Sequence, residues 1–194
     1  MRRLLLALSF ALLPGLVVAA EHDHEHHHHD HDGHASLGAH EHGSAELDVA
    51  LDGTTLEIEL RSPAMNLVGF EHAPNSDEDR RKVADARQQL EKPDALFGLP
   101  SAASCTLANT ELESPLFEES SNHDPKHAGH HDDGHSEIHA HYRYTCSSPQ
   151  AVQALNLEPL FQAFPATEKI QAQLIGPKGQ RGAQLTANQP RAEF

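Results

Sequence analysis

The feature that most constrains the fold of this chain is a pair of apolar alternations around Asp52-Gly53. Apolar residues occupy every second position on either side of that dipeptide: Leu47, Val49 and Leu51 before it, Leu56, Ile58 and Leu60 after it. Alternate residues face opposite sides of a β-strand, and Asp-Gly is a typical hairpin turn. The pattern predicts a β-hairpin with one apolar face and one charged face.

A helix is predicted after this hairpin. Ser76 begins a capping-box pattern in which Asp79 occupies the third helical position. Apolar residues then recur at helical spacing until Lys92-Pro93, which cannot continue a helix: Val83, Ala86 and Leu90. The apolar segment between hairpin and helix, residues 62–70, is expected to leave the strand and cross the domain edge.

The rest of the chain predicts four strands and a second helix. Strands are expected over residues 105–113, 138–146, 170–175 and 183–186, the last two joined by the turn Gly176–Gly179. Ser148-Pro149 has the cap and the first-position proline of a helix start, and that helix is expected to carry Val152 and Leu155 and to end near Pro159. The order predicts an α+β fold of two layers, a mostly antiparallel sheet and two helices.

Two histidine-rich tracts interrupt this pattern. The first, residues 22–34, has eight histidines in thirteen residues, mixed with Asp and Glu: His22, His24, His26, His27, His28, His29, His31 and His34. The second tract begins at His123 in the insertion 118–134, which also contains His127, His130 and His131. Both are expected to be disordered without metal, because they contain little apolar mass. Imidazole and carboxylate groups in such density predict several weak, exchangeable metal sites. A solvating acidic tail, the alternative, does not need so many histidines.

The N-terminus predicts export. Arg2 and Arg3 precede the apolar run Leu4–Leu13, and Val18-Ala19-Ala20 is typical of a cleavage site, so residues 1–20 are expected to be a cleavable secretory signal peptide. The run is too short for a comfortable membrane anchor. The predicted organisation is a signal peptide (1–20), a disordered segment (21–39) and a single metal-binding domain (40–194) of an exported protein that is not embedded in a membrane.

Charge and cysteine content narrow the function further. Removing the signal peptide changes the net charge from −15 to −17, which argues against a nucleic-acid partner and favours a divalent cation.

Cys105 and Cys146 are the two cysteines. In an exported protein they predict one disulfide bond. Thiolate ligation of a metal is the alternative, although the chain has no CxxC spacing.

Three segments near predicted strands can supply a tighter, pre-organised metal site. His40 and His42 are two residues apart before the first strand, and an extended chain would place both imidazoles on one face. His72 lies in an ordered connection, where Glu71 is a weaker candidate. Alternate positions at the start of a later strand share the face opposite Ile138 and Tyr142: His135, Glu137, His139 and His141. Zinc takes about four ligands, which these segments together can supply. The alternatives are that His40 and His42 simply end the tract and that His72 is a surface residue.

An enzyme is not expected. The serines lack a nucleophile-elbow context, and the sequence has no HExxH motif. A zinc hydrolase with an open ligand position remains an alternative, but no residue requires it.

With these residues identified, the chain resembles the ZrgA-like periplasmic zinc-binding proteins. The resemblance rests on HEHGSAELDVALDG, ELRSPAMNLVGFEHAP, Cys105, the His-rich insertion, HSEIHAHYRYTC and LFQAFPATEKIQAQLIGPKGQ, and it covers about residues 38–194. It implies a zinc-responsive periplasmic component that captures Zn²⁺ and hands it to an inner-membrane ABC transporter permease. The histidines in the matching motifs are His40, His42, His72 and His135, while His139 and His141 are additions of this sequence.

The sequence thus predicts an exported protein that captures Zn²⁺ for uptake. The alternative is a passive periplasmic buffer or chaperone for zinc, copper or nickel, because Cu²⁺ competes well for nitrogen ligands. Imidazole ordinarily has a pKa of about 6.5, so bound metal is expected to be lost as the pH falls below neutral.

Overall fold

The computed structural model describes residues 41–117 and 136–194. Within these residues the helices and strands follow in this order: β1 (Ser44–Asp52), β2 (Thr55–Pro63), α1 (Ala64–Val68), α2 (Asp77–Leu90), β3 (Cys105–Glu113), β4 (Glu137–Cys146), β5 (Ala154–Asn156), α3 (Glu158–Ala163), β6 (Lys169–Gly176), β7 (Gly179–Thr186) and β8 (Arg191–Glu193).

Six of these strands form one sheet in the order β3-β4-β2-β1-β6-β7, and β5 pairs with β8 in a second, two-stranded sheet. Among the described strands β1 and β6 pair in parallel, and the other pairs are antiparallel. The predicted hairpin is confirmed: β1 and β2 meet at Gly53, whose φ of +56° suits glycine. The mostly antiparallel sheet is confirmed as well.

One face of the six-stranded sheet is buried against the helical layer. Side chains of β1, β2, β4 and β6 form one core with apolar residues of all three helices, including Val83, Leu90 and Phe161. The buried hydroxyl of Tyr142 on β4 donates to the carbonyl of Leu90 at the end of α2, at 2.9 Å, and burial raises the pKa of Tyr142 above its usual range. We call the other side of the sheet the open face; it carries Glu46, Glu59, Arg61, Glu111, Glu113, Glu137, His139 and His141.

Helix α2 begins as predicted. The Ser76 side chain accepts a hydrogen bond from the backbone of Asp79, and the Asp79 carboxylate accepts one in return from the backbone of Ser76. Val83, Ala86 and Leu90 are its buried residues.

The prediction for residues 62–70 missed a helix. The five-residue helix α1 lies between Pro63 and Gly69, and Gly69 caps it in the left-handed region with a φ of +86°. Proline before a helix and a left-handed glycine after it are typical boundaries.

The prediction of a helix from Ser148-Pro149 is wrong. Residues Pro149–Ala151 form a single 3₁₀ turn, and Leu155 lies in β5, where it pairs with Ala192 of β8. The third helix, α3, begins after Leu157, and Pro159 lies in its first turn rather than at the end of a helix. The residues described thus contain three α-helices instead of two, and two short strands, β5 and β8, that the sequence did not predict.

The predicted disulfide is confirmed. Cys105 pairs directly with Cys146 in the β3–β4 ladder, and the two are joined by a disulfide bond across 41 positions of sequence. The insertion 118–134 lies between them. That insertion and residues 1–39 fall outside the described residues, so the signal peptide, the disordered segments and the domain limits stay predictions.

Candidate metal centre

Three of the predicted metal-binding segments meet at one end of the six-stranded sheet. Pro63, at the end of β2, pairs with Glu137 at the start of β4. Arg61, two residues earlier, pairs with Glu46 near the start of β1. The residues just before β1, just before β4 and just after α1 therefore lie near one another. We call this group, residues 41–43, Gly69–Ala73 and Ser136, the rim.

Before β1 the chain makes a tight turn that carries His42. The backbone N–H of Ser44 donates to the carbonyl of Glu41 at 3.0 Å, and Gly43 adopts a φ of +80°. The left-handed Gly43 bends the chain directly after His42. Since His40 lies outside the described residues, the placement of both imidazoles on one face stays a prediction. The turn is anchored to β6 by a contact of 2.8 Å between Lys169 Nζ and Glu41 Oε2.

On the other side of the rim, hydrogen bonds from Ser136 fix the segment that carries Glu71. The Ser136 hydroxyl donates to the carbonyl of Glu71 at 2.9 Å, and the N–H of Ala64 donates to the carbonyl of Ser136 at 2.8 Å. Both ends of residues 64–71 are thus attached to the residue that precedes β4.

The two segments bring an imidazole and a carboxylate together. His42 Nε2 lies 3.2 Å from Glu71 Oε1, and the side chains of His42 and Glu71 are 54% and 12% exposed. Burying a carboxylate is costly unless its charge is balanced. A nitrogen and an oxygen donor at this separation are the kinds of ligand that Zn²⁺ accepts.

His72 follows Glu71 and is exposed. Its ring stacks on Phe70 with the ring centroids 4.8 Å apart. Its Nδ1 lies 2.8 Å from the carbonyl oxygen of Ala73. Since a carbonyl only accepts, we assign the proton to Nδ1, which leaves Nε2 with the lone pair that a metal needs. A backbone carbonyl often fixes metal-binding histidines in this way.

Three of the other candidates lie along β4. Glu137, His139 and His141 alternate with the buried residues Ile138, Ala140 and Tyr142, as predicted. His139 Nε2 is 3.1 Å from Glu137 Oε2, and His141 Nδ1 is 4.0 Å from Glu111 Oε2. Glu137 lies where the rim meets the open face. The two histidines lie farther along the open face, in a groove of about 260 Å³ that Glu59, Glu111 and Glu113 also line.

Arg61 offsets part of the negative charge of the open face. It pairs across the sheet with His139, and its guanidinium contacts carboxylates of Asp48, Glu59 and Glu46 at 2.7, 2.8 and 2.9 Å. The bond to Asp48, followed by the two others, raises the pKa of Arg61 above its usual value despite partial burial. Because the guanidinium of Arg61 is positive, the position beside His139 is less suited to binding Zn²⁺.

His40 and His135 lie outside the described residues, as do all the tract histidines. Glu41, which follows His40, and Ser136, which follows His135, belong to the rim. Within residues 41–117 and 136–194, no group of three or more His, Cys, Asp or Glu side chains is arranged to hold a metal ion. A site of about four ligands built on His42 and Glu71 therefore needs further donors.

Sequence reasoning ranked Glu71 below the histidines and did not consider Asn66, which the structure places beside the turn that carries His42. Nothing local in the sequence marks Glu71 as buried. The one available signal was its position beside His72, in the motif ELRSPAMNLVGFEHAP.

Comparison with known families gives one finding. A family model described as a ZrgA family zinc uptake protein matches residues 39–194. No curated protein matches the chain. In the described part of the chain no helix is long and apolar enough to cross a membrane.

Proposed function

The chain belongs to the ZrgA family of zinc uptake proteins, and on that premise we propose that it binds Zn²⁺ at the rim and delivers it for uptake. The observation that carries the proposal is the contact of 3.2 Å between His42 and the largely buried carboxylate of Glu71. We propose His72, through its Nε2, as a further donor, which would have to join His42 and Glu71 when the metal binds, since the three are not grouped in the described structure. His40 and His135 are the nearest candidates along the chain for the remaining positions.

We further propose that Glu137, His139 and His141 bind zinc more weakly, on the open face. Two imidazoles two residues apart on a strand point to the same side, so they can share one ion. The tract histidines would bind weakly as well and would raise the zinc concentration near the rim.

The proposal places the protein in the periplasm. The predicted signal peptide supports export, and so does the Cys105–Cys146 disulfide, because such bonds persist in oxidising compartments. The recipient that we propose is an inner-membrane ABC transporter permease. The role that we propose is binding and transfer of the metal, with no catalysis.

A competitive zinc titration of residues 21–194 tests the rim site. The wild-type protein is compared with a variant in which His40, His42 and His72 are changed to Ala, and with a control in which His139 and His141 are changed to Ala. We expect one tight site above several weak ones in the wild type, loss of the tight site in the rim variant, and its retention in the control. Graded weak binding in all three proteins would favour the passive buffer instead.

Growth under zinc limitation tests delivery. Deleting the gene should slow growth when zinc is scarce, and excess zinc should restore it. A strain that grows normally under zinc limitation but becomes sensitive to excess metal would point to a buffer.

A further inference from the structure

We propose that Asn66 is a positioning residue of the zinc site, whose buried amide holds the turn carrying His42 in place opposite Glu71. This inference rests on the proposed zinc site at the rim. Asn66 hydrogen-bonds to the backbone directly after His42, and it acts on the imidazole through that backbone.

The contacts of Asn66 are made with the turn and with β2. Asn66 is in α1 and is 3% exposed. Its Oδ1 accepts a hydrogen bond from the backbone N–H of Gly43 at 2.7 Å. Its Nδ2 donates to the carbonyl of Ser44 at 2.9 Å and to the hydroxyl of Ser62 at 3.1 Å.

This pattern suits an asparagine. The carboxamide presents one acceptor and two donor hydrogens in a plane, and here it binds a backbone donor and a backbone acceptor of consecutive residues. Aspartate would lack the donor for Ser44, and alanine would lack both groups. A buried backbone group left without a partner is costly, so the amide specifies where this turn lies.

The turn is also held from the opposite side. The carbonyl of Gly43 accepts hydrogen bonds from the backbone N–H groups of Glu168 and Lys169 at 2.8 and 2.9 Å. A Cβ at Gly43 would lie 3.1 Å from the Glu168 side chain, in a backbone conformation that favours glycine. With Asn66 on one side and β6 on the other, the backbone directly after His42 has little freedom.

Asn66 is connected to the second ligand through the same helix. Gly69 ends α1, and its N–H donates to the carbonyl of Met65 at 3.1 Å. Glu71 follows two residues later and is fixed by Ser136. Asn66 therefore links two segments: α1 with the residues after it, which include Glu71, and the turn that contains His42.

Pre-organised ligands bind metal more tightly, because less chain has to be ordered on binding. Groups that orient metal ligands typically contribute 10- to 100-fold to metal affinity. We expect Asn66→Ala to weaken the tight zinc site about tenfold.

A double-mutant cycle in residues 21–194 separates positioning from general stability. The zinc dissociation constant is measured by chelator competition for wild type, Asn66→Ala, His42→Ala and the double variant, with folding checked by circular dichroism. We expect Asn66→Ala to weaken binding in the wild-type background and to have no further effect on His42→Ala. Ser76→Ala, which removes the cap of α2, is the control that lowers stability but should leave the dissociation constant unchanged.

Asn66→Asp keeps the proposal testable if Asn66→Ala does not fold. The aspartate has the same shape and retains the acceptor for Gly43, but it cannot donate to Ser44. Loss of that donor predicts weaker zinc binding, whereas an added negative charge acting alone would strengthen it. Stronger or unchanged binding would overturn the proposal.

The His42 and Asn66 variants separate a failure of the positioning role from a failure of the rim site. If His42→Ala weakens binding but the Asn66 variants do not, or weaken it equally with and without His42, Asn66 has no positioning role. If His42→Ala leaves the tight site unchanged, the rim site itself is wrong, and this inference falls with it.

Discussion

At the scale of single residues, Glu71 distinguishes the rim from the rest of this acidic surface. Its side chain is 12% exposed beside His42, whereas carboxylates of the open face, such as Glu46 at 63% and Glu59 at 42%, are much more exposed. An exposed carboxylate attracts cations in general and is screened by salt. A largely buried one beside an imidazole can hold one ion in a defined geometry.

Replacing Glu71 by Gln should therefore weaken the tight zinc site by at least about tenfold, since even groups that only orient ligands contribute that much. Gln keeps the size of the side chain and removes its charge. Chelator competition on residues 21–194 measures the effect, and Glu46→Gln is the matched control. An equal loss in both variants would mean that overall charge, and not this site, sets the affinity.

Sequence reasoning identified the candidate segments but not the residues that hold them. The histidines were visible because imidazole is a common metal ligand. The position of Glu71 is fixed by Ser136, and the role of Asn66 comes from its bond with Gly43. These partners are far away in the sequence, and no local pattern reveals such contacts.

At the scale of helices and strands, prediction succeeded where local rules and tertiary packing agree. Strand β3 was expected over the range that it occupies, and the capping box of α2 was recognised from four residues. It failed at residues 148–159, where a serine-proline start and helical spacing suggested a helix. There the apolar residue Leu155 is buried instead by pairing of β5 with β8, and local sequence does not show that partner.

The capping box of α2 predicts a stability effect with a defined pH dependence. Ser76→Ala should lower the free energy of unfolding by about 1 kcal/mol, as is usual for loss of a cap. A urea denaturation at neutral pH measures it. A loss within experimental error would mean that the cap contributes nothing to stability.

The pKa of Asp79 is lowered from its ordinary value, first by the hydrogen bond with Ser76 and then by further backbone bonds to its carboxylate. A lowered pKa in the folded state stabilises the protein above the ordinary value, and that contribution is lost as the pH falls through the lower one. Asp79→Asn should therefore reduce the melting temperature at pH 6, and the difference from wild type should shrink below about pH 4. A difference that stays constant with pH would contradict this.

The disulfide predicts a separable effect at the other end of β4. Cys146 ends that strand, whereas Ser136 and the rim lie at its beginning. Changing both cysteines to Ala should cost roughly 2 to 4 kcal/mol of stability, measured by urea denaturation, and should leave the zinc dissociation constant nearly unchanged. A large loss of zinc affinity in a folded variant would mean that the rim depends on the whole length of β4.

At the scale of the whole molecule, we propose a division of labour between an ordered rim and the tracts. The described residues contribute few donors with fixed geometry, and the tracts, which the sequence predicts to be disordered without metal, contain many histidines. Flexible ligands must be ordered when they bind, and this reduces affinity. The tracts should therefore set how much zinc is bound, and the rim should set how tightly.

Deleting residues 21–34 tests this division. Calorimetric titration should show fewer zinc ions bound at saturation, while the tightest dissociation constant stays within about twofold of the wild-type value. A twofold change is a small part of the roughly 1.4 kcal/mol that a tenfold change represents. Loss of the tight site in the deletion variant would place that site in the tract.

Locating the bound zinc tests whether the rim is the tight site. Crystals of residues 21–194 with one equivalent of Zn²⁺ would be measured on both sides of the zinc absorption edge. We expect one strong anomalous peak at the rim, about 2.0–2.2 Å from His42 Nε2 and from an oxygen of Glu71, the usual distances for these ligands. A single strong peak on the open face between His139 and His141, with none at the rim, would contradict it.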